Sequence, residues 1–362
     1  MKFLKFSFFF LMILFFGCSE EKKEKNFDVD VNNIGVNFQM IDISKDFYNY
    51  NLSIADFKKK YPFFLDADIS EAQYNKQRSD TLEVNIYKQI QQKVDNNKIK
   101  TDLTDLFRHI KYYYPDFKEP AVFLYSSFCQ DYLNPVTYVP EKNYLFIATD
   151  CFLGDRNRYY DIMRIDYYLQ KTMSQPYLSS KTAREIAKTF VSKNLQSQNF
   201  LSLMIYEGKI LTLIDAFLPN IPDEYKIGYT QPQIDWAKEN EFQVWQYFVQ
   251  NNYVFSDNTA LGERFLSIAP FSKFYNNIDQ QSPGQIGCWI GWQICLKYLL
   301  QNSETKLQDM IKNPNAEEIF AQSKYKPKET DNEKDSSQID SKNDNPTIEK
   351  NTQKEKNETV GN

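Results

Sequence analysis

The sequence predicts an α+β fold, mainly helical, with a small β-sheet ahead of a long helical part. Three short β-rich runs crowd between positions 121 and 149, each bounded by turn residues. After Gly154, apolar residues recur at helical spacing through most of the remaining apolar sequence. Composition agrees. With 29 Phe and 25 Tyr against only 10 Gly in 362 residues, the chain fits a packed globular body and excludes a fibre or a repeat array. Strands followed by helices, rather than alternating with them, separate α+β from a doubly wound sheet.

The first 17 residues hold two lysines and an apolar run from Phe6 to Phe16, interrupted only by Ser7, which is too short for a permanent span and reads as a secretory signal peptide. Phe15-Phe16-Gly17-Cys18 places a small residue directly before a cysteine, as a loose lipobox does. Cys18 is therefore the expected lipidation site. The lipid bilayer, reached through acylated Cys18, is the first expected partner, and the cell envelope the expected location, with membrane and leaflet open. Residues 18–32, rich in Glu and Lys, read as a flexible tether ahead of a body spanning 33–323.

Within that body, Leu82, Val84, Ile86, Ile90 and Val94, then Leu103, Leu106, Phe107, Ile110 and Tyr114, mark helices over 81–115. The runs 121–126, 135–139 and 144–149 give a sheet of three or more strands. Helices are expected at 157–170, 180–194, 198–217, 231–250, 260–267, 285–301 and 304–312, with Pro219 and Pro222 forcing a loop. From 324 to 362 only Tyr325, Ile339, Ile348 and Val360 are sizeable apolar residues, too few to offset the entropy of ordering that stretch, so it reads as a disordered polar tail.

Several chemistries are excluded early. A net charge of −5, from 43 basic and 48 acidic residues, leaves no basic field for nucleic acid. His109 is the only histidine, and on a helix beside Lys111 and three tyrosines it reads as structural. One histidine cannot build a His-rich metal site, and no phosphate-binding Gly loop, nucleophile elbow or Cys-x-x-Cys pair is present, so no cofactor is expected. Gly208, Gly287 and Gly291 lie singly on helices, which points to close helix packing. Besides Cys18, Cys129 and Cys151 flank two strands and could meet across a hairpin, or remain buried thiols. Cys288 and Cys295, about 10 Å apart along one helix, cannot bridge each other.

One constellation bears on chemistry. Arg184-Glu185-Ile186-Ala187-Lys188 has the spacing of His-Glu-x-x-His, in which two imidazoles one turn apart hold Zn²⁺ and the Glu serves as base. Glu207 follows on the next helix, where such enzymes take a carboxylate ligand. Both imidazole positions are cationic here: Arg184 cannot deprotonate, and Lys188 repels a divalent ion. No metal and no catalytic residue is assigned; Arg184, Glu185, Lys188 and Glu207 form a pseudo-site, with Arg184 to Glu207 the favoured pair.

Further blocks carry a resemblance. Met204-Ile-Tyr-Glu-Gly-Lys-Ile with Asp215, Ile227-Gly-Tyr-Thr, Trp236 with Glu239-Asn-Glu241, Val244-Trp-Gln-Tyr-Phe, Ala269-Pro-Phe-Ser-Lys-Phe and Ser282-Pro-Gly-Gln-Ile-Gly-Cys-Trp-Ile-Gly-Trp-Gln resemble GldB, a gliding motility lipoprotein family of Bacteroidetes. That family is itself similar to zincin-like peptidases, and the match covers about 25–320. The resemblance implies a zincin-like body and a role in the gliding machinery, which overlaps with type IX secretion, alongside other envelope proteins. Without its metal ligands, such a scaffold would act as a binding or assembly factor, with Trp289 and Trp292 as candidate cleft residues. The alternative is an active peptidase or peptidoglycan hydrolase using Glu185 and Glu207.

Overall fold

The structure is a computed structural model, and it describes residues 26–192, 198–275 and 278–329. The signal peptide, Cys18, the start of the tether and the tail beyond 329 lie outside the described residues.

The chain enters through strand β1 (Met40–Asp42) and five helices: α1 (Ile43–Phe47), α2 (Ile54–Lys60), α3 (Glu71–Arg78), α4 (Thr81–Lys93) and α5 (Asn96–Tyr113). Their starts are set by side-chain caps. Ser70 forms a capping box with Gln73, and Asp95 accepts from the backbone of Asn97 (2.9 Å) and Lys98 (3.1 Å). Next come β2 (Ala121–Tyr125), β3 (Val136–Val139) and β4 (Tyr144–Ala148). The four strands lie in the order β1-β2-β4-β3. β2 pairs in parallel with β1 and β4, whereas β3 pairs antiparallel with β4, Val136 opposite Ile147, and forms the edge.

Alternation along these strands divides the interior. Val122, Leu124, Leu145 and Ile147 face the main core. Phe123 and Phe146 face a smaller cluster of Phe47, Ile54, Phe57, Tyr61 and Tyr74 contributed by the first three helices. Apolar residues on both faces are what a parallel pair requires. β1 and the first three helices were not foreseen, since β1 is only three residues long and its helices have narrow apolar faces.

The remainder is helical: α6 (Arg158–Ile162), α7 (Tyr167–Gln170), α8 (Leu178–Ala187), α9 (Phe200–Phe217), α10 (Asp223–Ile227), α11 (Gln231–Glu239), α12 (Glu241–Gln250), α13 (Ala260–Phe265), α14 (Ile286–Gln301), α15 (Leu307–Lys312) and α16 (Ala316–Ser323). The fold is thus α+β and mainly helical, as expected. Two expected helices are broken. The 157–170 segment is interrupted near Arg164, which takes φ 56°. The 231–250 segment divides at Asn240, whose side chain donates to the Trp236 carbonyl at 2.8 Å and caps α11.

α9 is apolar almost all round and buried accordingly, packed by α14, α8, α16 and α5. Its approach to α14 depends on glycine. A Cβ on Gly208 would lie 2.2 Å from the Gly291 carbonyl oxygen, and one on Gly291 would lie 1.8 Å from that of Met204. Backbones meet there with nothing between them.

Both edges of the body differ from the expected boundaries. Phe27 and Val31, assigned to the tether, are buried because their apolar side chains find the main body. Tyr325, assigned to the tail, is buried against Trp245 and donates to Glu241 at 3.0 Å. His109 is buried with Nδ1 3.0 Å from the Asp105 carbonyl, a structural placement. Cys129, Cys151, Cys288 and Cys295 are buried free thiols. No hairpin disulfide forms, because Cys129 belongs to a loop anchored on Asp150. That fully buried carboxylate accepts from the backbone of Ser127 (2.9 Å) and of Cys129. Among the described residues, no helix is long and apolar enough to cross a membrane.

Candidate functional site

A cleft of about 280 Å³ opens between the edge of the sheet and the helical part. One wall is the segment Tyr132–Val136 leading into β3; the floor is α8 with Glu207 of α9. The far wall comes from α10, the turn after it and the segment ahead of α14. Local sequence accounts for each placement. α8 begins Leu178-Ser-Ser-Lys-Thr-Ala, and its small residues let it pack closely while its longer side chains reach the cleft. α10 stops because Gly228 takes φ 81°, a left-handed cap that turns Tyr229 inward. Tyr229 donates to the Gly284 carbonyl at 2.7 Å, and Tyr177 donates to the Tyr229 carbonyl at 2.8 Å. These bonds tie the start of α8, the end of α10 and the approach to α14 into one frame.

The pseudo-site lies in this cleft. Arg184, Glu185, Lys188 and Glu207 all line it. Arg184 Nη1 donates to Glu207 Oε2 at 2.7 Å, joining α8 to α9 in the pairing that spacing favoured. Burial works against the guanidinium charge, but the Glu207 carboxylate outweighs it and holds Arg184 above its ordinary range. Lys188, at the end of α8, turns back to Glu185. Lys226 is fixed by Asp215 at 2.6 Å and Asp223 at 3.2 Å. The Cys288 thiol, at the start of α14, is pushed well up by burial and by the nearby Glu207 charge, which disfavours the thiolate.

Two expected cleft residues lie elsewhere. Trp289 and Trp292 are 2% and 1% exposed and pack edge to face, ring centroids 5.7 Å apart, inside the main core. α14 turns them inward because Gly287 and Gly291 leave the room its neighbours fill. The cleft instead uses residues that had no assigned role: Ser180, Lys181, Tyr177, Tyr229 and Tyr132. Lys181 stands one turn before Arg184 on the same helix face, the one signal in the sequence that places it there.

The donor set bears on metal chemistry. Among the described residues, no group of three or more His, Cys, Asp or Glu side chains gathers closely enough to hold an ion. The two carboxylates in the cleft are each engaged by a cation. The arrangement defines a protein with a charged, tyrosine-framed cleft on an α+β body, suited to holding a ligand. The profile of the gliding motility protein GldB family matches residues 24–327, most of the chain, and the protein belongs to that family. No curated protein and no solved structure matches it. Membership carries a role in gliding motility.

Proposed function

We propose that this GldB family member is a lipoprotein tethered to an envelope membrane through Cys18, and that it serves the gliding machinery, with a link to type IX secretion, as a non-catalytic binding or assembly factor. The observation that carries the non-catalytic part of this reading is the Arg184–Glu207 ion pair on the cleft floor. On a zincin-like scaffold these two positions would hold a metal ligand each. Here a guanidinium fills one and its counter-ion the other, an arrangement that can neither bind a divalent cation nor give up a proton at working pH.

The cleft also has what a binding surface needs. Among the described residues β3 has a sheet neighbour on one side only, and its first residue, Val136, lines the cleft beside the segment that leads into it. Leu133 and Ile268 stand at the rim, each 56% exposed. A photo-crosslinking residue at either position, in cells, is expected to capture an envelope protein whose own loss abolishes gliding. One placed at exposed Val249, away from the cleft, should not. In the same cells Cys18→Ala should leave a larger, unlipidated precursor. Turnover of casein or peptidoglycan by the purified chain, abolished by Glu185→Gln, would overturn the non-catalytic reading.

A further inference from the structure

Five cationic side chains line the cleft, Lys171, Lys181, Arg184, Lys188 and Lys226, against two glutamates. Three of the five are engaged: Arg184 by Glu207, Lys188 by Glu185, and Lys226 by Asp215 and Asp223. Lys171 reaches only the Tyr167 ring, 5.6 Å from its centroid. Lys181 projects from the middle of α8, and its ammonium has no acceptor and no carboxylate partner among the described residues. Next to it, Ser180 is 3% exposed and its Oγ is buried with no hydrogen-bond partner. A half-buried cation beside an orphaned hydroxyl is costly to keep, and a fold gains nothing from either one. An anion entering the cleft would give the ammonium an acceptor, and a rotation of the Ser180 hydroxyl would let it donate to the same group.

We propose that the cleft recognises a carboxylate, carried by an acidic side chain of an extended protein segment, through the Lys181 ammonium and the Ser180 hydroxyl. The inference rests on the binding-factor reading above and names what that cleft selects. A carboxylate fits the donors available, one ammonium and one hydroxyl. An ammonium can bind a phosphate as a point charge, but the guanidinium fork that would favour phosphate over carboxylate is already committed to Glu207. The size fits as well. About 280 Å³ lies just under the usual range for small-molecule pockets, room for a side chain and its flanking backbone but not for a folded module. The segment Tyr132–Val136 supplies a wall along which that backbone can lie.

Charge state sets a pH signature. Burial, offset in part by the Cys151 thiol and reinforced by the Arg184 charge, pushes the Lys181 ammonium down to about 8. The other ionisable side chains lining the cleft are Lys171, Glu185, Lys188, Glu207, Lys226, Tyr132, Tyr168, Tyr177, Tyr225 and Tyr229. Binding is therefore strongest near neutral pH and weakens as the pH rises through 8, where Lys181 loses its proton.

The test uses the detergent-purified full chain and two fluorescent pentapeptides, acetylated and amidated at their ends, with Glu or Gln at the centre. The Glu peptide is expected to bind at least about tenfold more tightly than the Gln peptide at pH 7. Lys181→Met should erase that preference, and raising the pH to 9 should weaken it. Because an unpartnered ammonium disfavours the folded state, Lys181→Met should also raise the melting temperature at pH 7, with the gain fading toward pH 10. Equal binding of the Glu and Gln peptides overturns the carboxylate assignment and leaves the binding-factor reading standing. No binding by either peptide overturns both. Displacement of the Glu peptide by inorganic phosphate at lower concentration than by free glutamate, dependent on Lys181, also overturns it. So does a melting temperature lowered by Lys181→Met, which would show that the ammonium supports the fold instead.

Discussion

Arg184 can be tested alone. Its pair with Glu207 keeps about a fifth of each side chain exposed, 22% and 23%, so breaking it should cost less than the ~3–5 kcal/mol of a fully buried pair. Arg184→Ala is expected to cost about 2–3 kcal/mol, read as a lower melting temperature. Arg184→Ala/Glu207→Gln should recover much of that, because the stranded carboxylate is gone. Lys188→Ala, at a side chain 42% exposed, should stay within about 0.5 kcal/mol of the parent. Strictly additive losses at 184 and 207 would show that the pair contributes nothing. The pair was legible in the sequence, since Arg184 and Glu207 occupy two positions of a known spacing. Lys181 and Ser180 were not, because being unpartnered is a property of three-dimensional surroundings and leaves no mark on a residue's neighbours in the chain.

At the scale of elements, the contact between α9 and α14 is the closest approach at any described glycine. Gly291→Ala would place a methyl 1.8 Å from the Met204 carbonyl oxygen, a backbone atom with nowhere to go. The two helices would have to separate, and we expect a loss of at least about 3 kcal/mol, measured by denaturant unfolding. Gly262→Ala in α13 is the control: nothing lies within 4 Å of its Cβ position, so the change should gain roughly 0.5–1 kcal/mol. A mild Gly291→Ala would mean that the helices do not touch as described. The long helices α5, α9 and α14 were readable from periodicity, and isolated glycines foretold close packing. Their partners were not readable. An interior helix such as α14 is apolar on every side, so its sequence cannot say which face meets a cleft, and Trp289 and Trp292 were placed there on resemblance alone. The short β1 and α10 carry too few residues to establish any period.

At the scale of the whole molecule, two acidic side chains are buried among the described residues, Asp150 just after β4 and Glu83 on α4. Glu83 is 8% exposed and accepts from the Tyr48 hydroxyl at 3.3 Å, with Gln77, Asp80 and Asp150 also acting on it. Burial pushes its carboxyl up to about 7 from an ordinary 4.5. The folded state therefore holds a proton that the unfolded chain has already released. Glu83's contribution is complete below about pH 4.5 and is lost as the pH rises to about 7. The loss approaches about 3 kcal/mol. Glu83→Gln keeps the acceptor and removes the titration, so its melting temperature should match the parent at pH 4.5 and exceed it at pH 8. An equal melting temperature at pH 8 would show that Glu83 ionises freely.

The first described residues of the chain form a strap along α5. Working inward from Phe27, whose carbonyl accepts from the Tyr113 hydroxyl (3.4 Å), the strap is fastened at Ile34 by Arg108 (3.3 Å), at Gly35 by Lys111 (3.0 Å) and at Phe38 by Lys100 (2.5 Å). Glu119 holds the Asn37 N–H at 3.4 Å. The strap runs antiparallel to the helix before its backbone passes into β1. Tension applied upstream and directed along it loads these fastenings together, in shear, and ends in the parallel pairing of β1 with β2. A pull away from the helix would instead open them one at a time, starting at Phe27. Three of the fastenings are backbone carbonyls gripped by long cationic side chains of α5, so the helix shares the mechanical load with the strap's own buried Phe27, Val31 and Phe38.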